Sequence, residues 1–439
     1  MLTAWRRSGL ATRIQSGIFF NLLGAGFNQG STLVVNLMVA NLLGRETFGR
    51  YTMVVATVAT VAAFGQLSMG YTATKHVAEF RSLSKERTSR VLGLCAAVSG
   101  ISALLTAAVL GLSAEWLAVT ILGEPALAAE LRIAALSVLF LVLNGFAAGA
   151  LAGLESYREL ARAGAASGAV YLLVCITLTW QYGLRGAVSG VAISAAAQTL
   201  LLAILLKRES ARQGVGLRFE GLWQERGLVT HFALPASLSG LVTLPAVWLS
   251  SAILARQPGG FQQLALFGAA NSFRIMVLFV PQAVNNVGMS IMNNSRQSSS
   301  TEYRQAFWIN AFMTTMAAVG VASIVFAAAT PLLELFGPTF RDGRVALGIL
   351  LGAAVIEALA IAVYQVVVAH SRIWGSLFAV SLPRDLTLVL LAALLSPGFG
   401  AAGLAAAHTV GWALALCGIL FMVRHLKPAA PVQRGMPVS

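Results

Sequence analysis

Apolar residues run along this chain in long stretches, each closed by a short polar or glycine-bearing segment. A membrane-crossing helix needs roughly 20 mainly apolar residues. Twelve stretches qualify: 18–41, 51–73, 91–112, 132–154, 163–182, 185–206, 229–255, 264–292, 306–330, 345–369, 375–396 and 399–423. No repeated ten-residue alternating pattern occurs, which argues against a transmembrane barrel. The gaps at 182–185 and 396–399 are so tight that the helices flanking each must be antiparallel neighbours. The pattern predicts an all-α integral membrane protein with 12 transmembrane helices.

Composition agrees. Of 439 residues, 57% are hydrophobic and 10% charged, against about 25% charged in an ordinary soluble domain. So few charges cannot cover a water-soluble globule, which excludes a soluble enzyme. Cys95, Cys175 and Cys417 each lie inside an apolar run, so neither a disulfide framework nor a metal site is expected. The basic opening, residues 1–17, lacks a signal peptide's cleavage site and reads as a cytoplasmic leader.

The charges set the orientation, because lysine and arginine concentrate in cytoplasmic loops. With the N-terminus inside, 21 of the 30 basic residues fall on the inner side and seven on the outer. Arg274 and Arg384 remain within spans, together with Glu357 and Asp385. Both termini are therefore expected in the cytoplasm. The basic excess is a topology signal with an attraction to anionic membrane lipids, and no nucleic acid is needed to explain it.

The chain also resembles itself. Tyr182-Gly183-Leu184-Arg185-Gly186 recurs as Phe399-Gly400-Ala401-Ala402-Gly403, 217 residues later, and Leu42-Leu43-Gly44-Arg45 is echoed by Ile253-Leu254-Ala255-Arg256. Two parallel six-helix lobes follow, at 1–206 and 229–424, joined by a polar cytoplasmic linker at 207–228 and followed by a cytoplasmic tail at 425–439. The pairs Gly149/Gly153, Gly164/Gly168, Gly186/Gly190 and Gly348/Gly352 are read as helix-packing contacts.

The segment Asn41-Leu42-Leu43-Gly44-Arg45-Glu46-Thr47-Phe48-Gly49-Arg50-Tyr51 resembles a signature that follows the first span of Wzx-type polysaccharide flippases. Residues 71–81 and the turn at 397–405 are similar to further segments of that family, part of the multidrug/oligosaccharidyl-lipid/polysaccharide exporter superfamily. The resemblance implies two lobes around a central cavity in the inner (plasma) membrane of a bacterium. It also implies movement of a polyprenyl-pyrophosphate-linked oligosaccharide to the outer leaflet by alternating access, for surface polysaccharide biosynthesis. Glycan polymerase and glycosyltransferases are the associated proteins it implies.

Polar residues at bilayer depth are functional candidates, because burying a charge there costs about 2.5–3.5 kcal/mol on insertion scales. In the eighth span Asn271, Arg274, Gln282, Asn285 and Asn293 share one helical face, interrupted by Leu278 and Met289 and bordered by Asn286. The first span carries a lesser stripe, Asn21, Asn28, Thr32 and Asn36. The two faces are expected to look at each other across the cavity. Their amides would bond sugar hydroxyls and Arg274 the pyrophosphate, since guanidinium matches phosphate oxygens. The alternative is that Arg274 pairs with Glu357 or Asp385 and only fixes packing. Arg384, a further candidate for the substrate, and Asp385 are adjacent on a helix, so each is expected to find a separate partner. Glu357 and Asp385 are the candidates for ion coupling, and His408 reads as a hydrogen-bonded core residue. Pro235, Pro245, Pro281 and Pro383 lie well inside spans and predict kinks in the second half.

Three function classes compete. An ATP-driven pump needs a P-loop lysine after glycine, and no lysine here follows one, so no cofactor is expected. A membrane glycan polymerase or ligase would present acid–base residues outside. The longest expected outer loop, 113–131, offers three glutamates and no Lys, Arg or His. An ion-coupled multidrug exporter of the same superfamily is the closer alternative to a flippase. No catalytic residue is assigned.

Overall fold

A computed structural model describes residues 9–295, 300–369 and 373–425, and the expected leader before Gly9 and most of the tail lie outside them. α1 (Gly9–Leu43) and α2 (Arg45–Gln66) meet at Gly44, whose φ of 74° suits glycine. α2 stops at Leu67 and Ser68, both left-handed, and α3 (Met69–Phe80) follows. α4 (Lys85–Trp116) is capped by the Ser84 side chain, which accepts from the Arg87 amide. It runs on through a wide turn at Leu117–Leu122 to α5 (Leu127–Gly153).

The helical stretch Tyr157–Gln213 breaks at Gly183 (φ 61°, ψ −136°) into α6 (157–182) and α7 (184–213). α8 (Leu234–Ala255), α9 (Gly260–Ser295), α10 (Ser300–Ala327) and α11 (Arg344–Ala369) follow. Leu382–Arg424 then breaks at Gly400 (φ 52°, ψ −127°) into α12 (382–399) and α13 (401–424). All the predicted spans have a helix, and α3 is additional.

Two expectations need correction. The second span is not 51–73: its helix begins at Arg45, and the left-handed pair at Leu67 and Ser68 sets α3 apart. α3 has its own reason to form, since Met69, Ala73, Val77 and Phe80 make one apolar face. That face packs against Phe146, Ala147, Ala150 and Leu151 of α5 and Val91 and Cys95 of α4. The outer loop at 113–131 is also largely absent, because α4 and its wide turn reach Leu122 and α5 begins at Leu127.

The internal repeat is legible in the backbone. Gly183 and Gly400 adopt nearly the same dihedrals, which an L-residue with a Cβ avoids. Three residues on, a methyl added at Gly186 would stand 1.8 Å from the Leu178 carbonyl oxygen, and one at Gly403 2.5 Å from that of Leu395. One glycine makes each turn and the other lets the returning helix lie against its partner. Gly149 and Gly153 meet α3 in the same way, and Gly164 and Gly168 meet α1. At Gly352 the packing expectation fails, because a methyl there would meet nothing within 4 Å.

The polar connector expected at 207–228 is shorter, since α7 continues to Gln213. What remains is clipped onto α4. The Gly216 amide donates to Ser89 Oγ and the Arg218 amide to the Ser89 carbonyl, each at 3.1 Å. Glu225, only 5% exposed, pairs with Arg87 at 3.1 Å and Arg90 at 3.7 Å.

The chain separates into two compact units, the first ending at Ala265 and the second beginning at Leu266. In the first, α8 is tied to α2 by Trp248, whose indole N–H donates to Thr57 Oγ1 at 2.8 Å. In the second, Ala360, Val363 and Val367 of α11 share a core with Ala415 and Ile419 of α13.

Pro245 and Pro281 are inside α8 and α9, as expected of kinking prolines. Pro235 and Pro383 are not: each lies in the first turn of its helix, after a π-turn at Val229–Ala233 or Leu377–Ser381. A first-turn proline lacks only an N–H that the helix would leave unpaired. The wide turn takes up the break that Pro383 imposes.

Candidate functional site

All four charged side chains at membrane depth belong to the second unit, and the structure gathers them into pairs. Arg274 of α9 donates from Nε to Asn271 Oδ1 at 2.8 Å and from Nη1 to Glu357 Oε2 of α11. The Arg274 and Glu357 side chains are 11% and 12% exposed. Their helices bring them together because residues three and four apart line one face: Asn271 and Arg274 share such a face. The alternative weighed for Arg274, an internal pair with Glu357, is therefore what the structure contains.

The second pair corrects an expectation. Arg384 Nε donates to Asp385 Oδ1 at 2.8 Å, so the two neighbours do meet. Adjacent Cβ atoms diverge on a helix, but arginine is long enough for its guanidinium to curl back to the next carboxylate. The same guanidinium lies 4.8 Å from the centre of the Trp412 ring, within cation–π range. Trp412 Nε1 donates in turn to His408 Nε2 at 3.1 Å, so His408, partly buried, is hydrogen-bonded as expected. The four side chains thus make a set of two ion pairs, one between α9 and α11 and the other on α12. Its formal charge balances at zero, the least costly state for four buried ions.

The rest of the expected α9 face divides. Asn285 is buried and accepts from Asn310 Nδ2 of α10 at 3.0 Å, whereas Gln282 is exposed. The side chains of Asn286, Met289 and Asn293 lie outside the described residues, as does that of Asn21 on α1. On α1, Asn28 is exposed and its carbonyl accepts from Thr32 Oγ1 at 3.0 Å, while Asn36 is partly buried. Tyr364, two helical turns after Glu357 on α11, bonds the Ser376 hydroxyl at 2.9 Å.

Sequence reasoning missed Trp412 and Asn310. Each had a signal: Trp412 follows the flagged His408 by one helical turn, and Asn310 precedes Thr314 by one turn inside an apolar span. Asn310 Oδ1 and Thr314 Oγ1 are buried without a protein partner.

The motif at 41–51 has a structural role in the first unit. Phe48 and Tyr51 are core residues, and a methyl at Gly49 would stand 1.8 Å from the Phe261 carbonyl oxygen. Arg50 bridges Glu46 at 3.0 Å and Glu124 at 3.4 Å, and Gln262 donates to Glu46 at 3.2 Å. Glu46, Glu124 and Gln262 border a polar cavity of about 550 Å³ lined also by Arg256 and Gln257. Among the described residues no group of three or more His, Cys, Asp or Glu could hold a metal ion.

An all-helical membrane chain with a buried, charge-neutral cluster has the character of a transporter. The polysaccharide biosynthesis protein family matches residues 14–334, and the chain belongs to that family. It is 26% identical over 421 residues to the EPS I polysaccharide export inner membrane protein EpsE of Ralstonia nicotianae, covering 92% of each chain. Its fold is similar to that of a multidrug resistance MATE family transporter of the MOP superfamily, with TM-score 0.71, 16% identity, and coverage of 92% of this chain and 98% of that one. The lipid II flippase MurJ matches with TM-score 0.73 and 13% identity, over 93% of this chain and 87% of that one. The fold is thus that of the MOP-superfamily transporters.

Proposed function

We propose that the protein moves a polyprenyl-pyrophosphate-linked oligosaccharide from the cytoplasmic to the outer leaflet of a bacterial inner membrane, with both termini in the cytoplasm and no catalytic step. The observation that carries this reading is the buried cluster of two guanidinium groups and two carboxylates, in a member of a polysaccharide biosynthesis family. Guanidinium is the side chain best matched to diphosphate oxygens. Because Arg274 is held by Glu357 and Asn271, the diphosphate must displace the carboxylate. A proton taken up by Glu357 would release Arg274 to the substrate, and Asp385 stands in the same relation to Arg384. Asn28, Thr32, Asn36, Asn271, Gln282 and Asn285 are proposed to bond sugar hydroxyls. The functional lobes are 1–206 and 229–424.

The names of the relatives support this reading: one concerns polysaccharide export and another a lipid II flippase. The ion-coupled multidrug exporter is the second reading, supported by the likeness to MATE transporters. Flipping of a fluorescent polyprenyl-diphosphate oligosaccharide in proteoliposomes tests the first. Arg274→Ala and Arg274→Lys should both lower flux at least tenfold, about 1.4 kcal/mol of binding. Undiminished flux in both removes Arg274 from the site, and drug efflux without lipid flipping selects the exporter.

A further inference from the structure

The connector between α7 and α8 exposes apolar side chains where a polar loop needs none. Leu217 is 50% exposed, Phe219 59% and Trp223 79%, and Leu83 in the neighbouring turn before α4 is 77% exposed. These residues lie outside the predicted spans, so the hydrocarbon that covers lipid-facing helix positions does not account for them.

The connector is also held at a definite level. Its amides at Gly216 and Arg218 bond Ser89, and a methyl at Gly93 would stand 2.0 Å from the Arg218 carbonyl oxygen. At the N-terminal end of α4, charge stops at Arg90 and the apolar run begins at Val91. The strap therefore crosses α4 where polar surface gives way to apolar surface. That is the level of a membrane–water boundary, where tryptophan and other amphipathic rings concentrate.

The charge is of the matching kind. Five basic residues stand in 85–90 and 218–226 against three acidic ones, and Lys207, Arg208 and Arg212 close the preceding helix on the same side against Glu209, which pairs with Arg212. Arg218 reaches Glu86 at 3.0 Å and Glu220 at 3.3 Å, while Glu225 is consumed by Arg87 and Arg90. The internal pairing spends the acids and leaves the excess basic.

We propose that residues 214–226 form an interfacial anchor that seats Leu217, Phe219 and Trp223 in the headgroup layer of an anionic phospholipid leaflet, with the surrounding arginines and lysines facing lipid phosphate. The anchor does not depend on what the protein transports. It places the connector between α7 and α8 in contact with lipid, so that leaflet charge acts directly on the segment leading into α8.

Hydrogen exchange of the full-length chain tests this in nanodiscs of phosphatidylcholine alone and of phosphatidylcholine with about 30 mol% phosphatidylglycerol, whose negative surface potential attracts basic segments. Both faces are open in a nanodisc, so neither the orientation nor the flippase reading enters. Amides 217–224 should exchange about fivefold or more slowly in the anionic discs, as one basic contact with the surface provides. A variant carrying Leu217→Ser, Phe219→Ser and Trp223→Ser, all at exposed positions, should lose that protection while α4 keeps its own. Equal exchange of the wild-type strap in both lipids overturns the proposal and leaves the patch to a protein partner. Unchanged protection in the variant overturns it as well.

Discussion

Arg274 and Glu357 are held together with side chains only 11% and 12% exposed. Removing one partner of such a pair costs about 3–5 kcal/mol, because the other charge remains buried and alone. Arg274→Ala should therefore lower the thermal unfolding midpoint in detergent, and adding Glu357→Ala should recover most of the loss. Flux should stay low in the double variant if Arg274 binds diphosphate. Recovery of both stability and flux would make the pair purely structural.

His76 of α3 offers a pH test outside the spans. Its ring lies 5.0 Å from that of Phe232 and 5.8 Å from that of Phe80. Burial lowers its pKa, with Lys75 and Arg87 adding to the effect and Glu79, bonded at Nδ1, opposing it. The folded protein thus prefers the neutral ring. This contribution is complete above the unfolded value of about 6.5 and is lost as pH falls from there through the folded pKa. His76→Gln should flatten the stability profile in that window, as followed by thermal unfolding against pH.

At the scale of the element, the two antiparallel turns depend on single glycines. Gly183→Ala and Gly400→Ala put a Cβ into a backbone region that costs on the order of 1–3 kcal/mol. Gly186→Ala should cost more, since its methyl would meet the Leu178 carbonyl and not open space. Chemical denaturation of the three variants checks the order. The aromatic-Gly-x-x-Gly pattern exposed both turns in advance, because the need for a positive φ and for close backbone approach is written in residue type. The second helix was read wrongly for a related reason. Nothing in the hydropathy of Leu67 and Ser68 announces their left-handed backbone, so the apolar run hides the stop between α2 and α3.

Across the whole molecule, the proposed transport of a diphosphate would couple to the membrane potential. Moving two negative charges outward across an inside-negative membrane gains about 4.6 kcal/mol per 100 mV. Dissipating the potential in proteoliposomes should slow net flipping severalfold, and an unchanged rate would remove the potential as a driving force. Accessibility of a cysteine placed at Ser439 checks the expected cytoplasmic C-terminus.

Hydropathy and charge distribution by themselves determined that this chain is a helical membrane protein, where its long helices fall, and which four charges stand inside its apolar stretches. Those properties follow from transfer energies that act residue by residue along the chain. Only tertiary structure decided the partners. Helix periodicity put Arg274 on a polar face but could not say that α11 would bring Glu357 to it, nor that the Arg384 side chain would curl onto Asp385 beneath Trp412. A buried charge must be paired, and sequence states that need; which group meets it depends on helices brought together from distant parts of the chain.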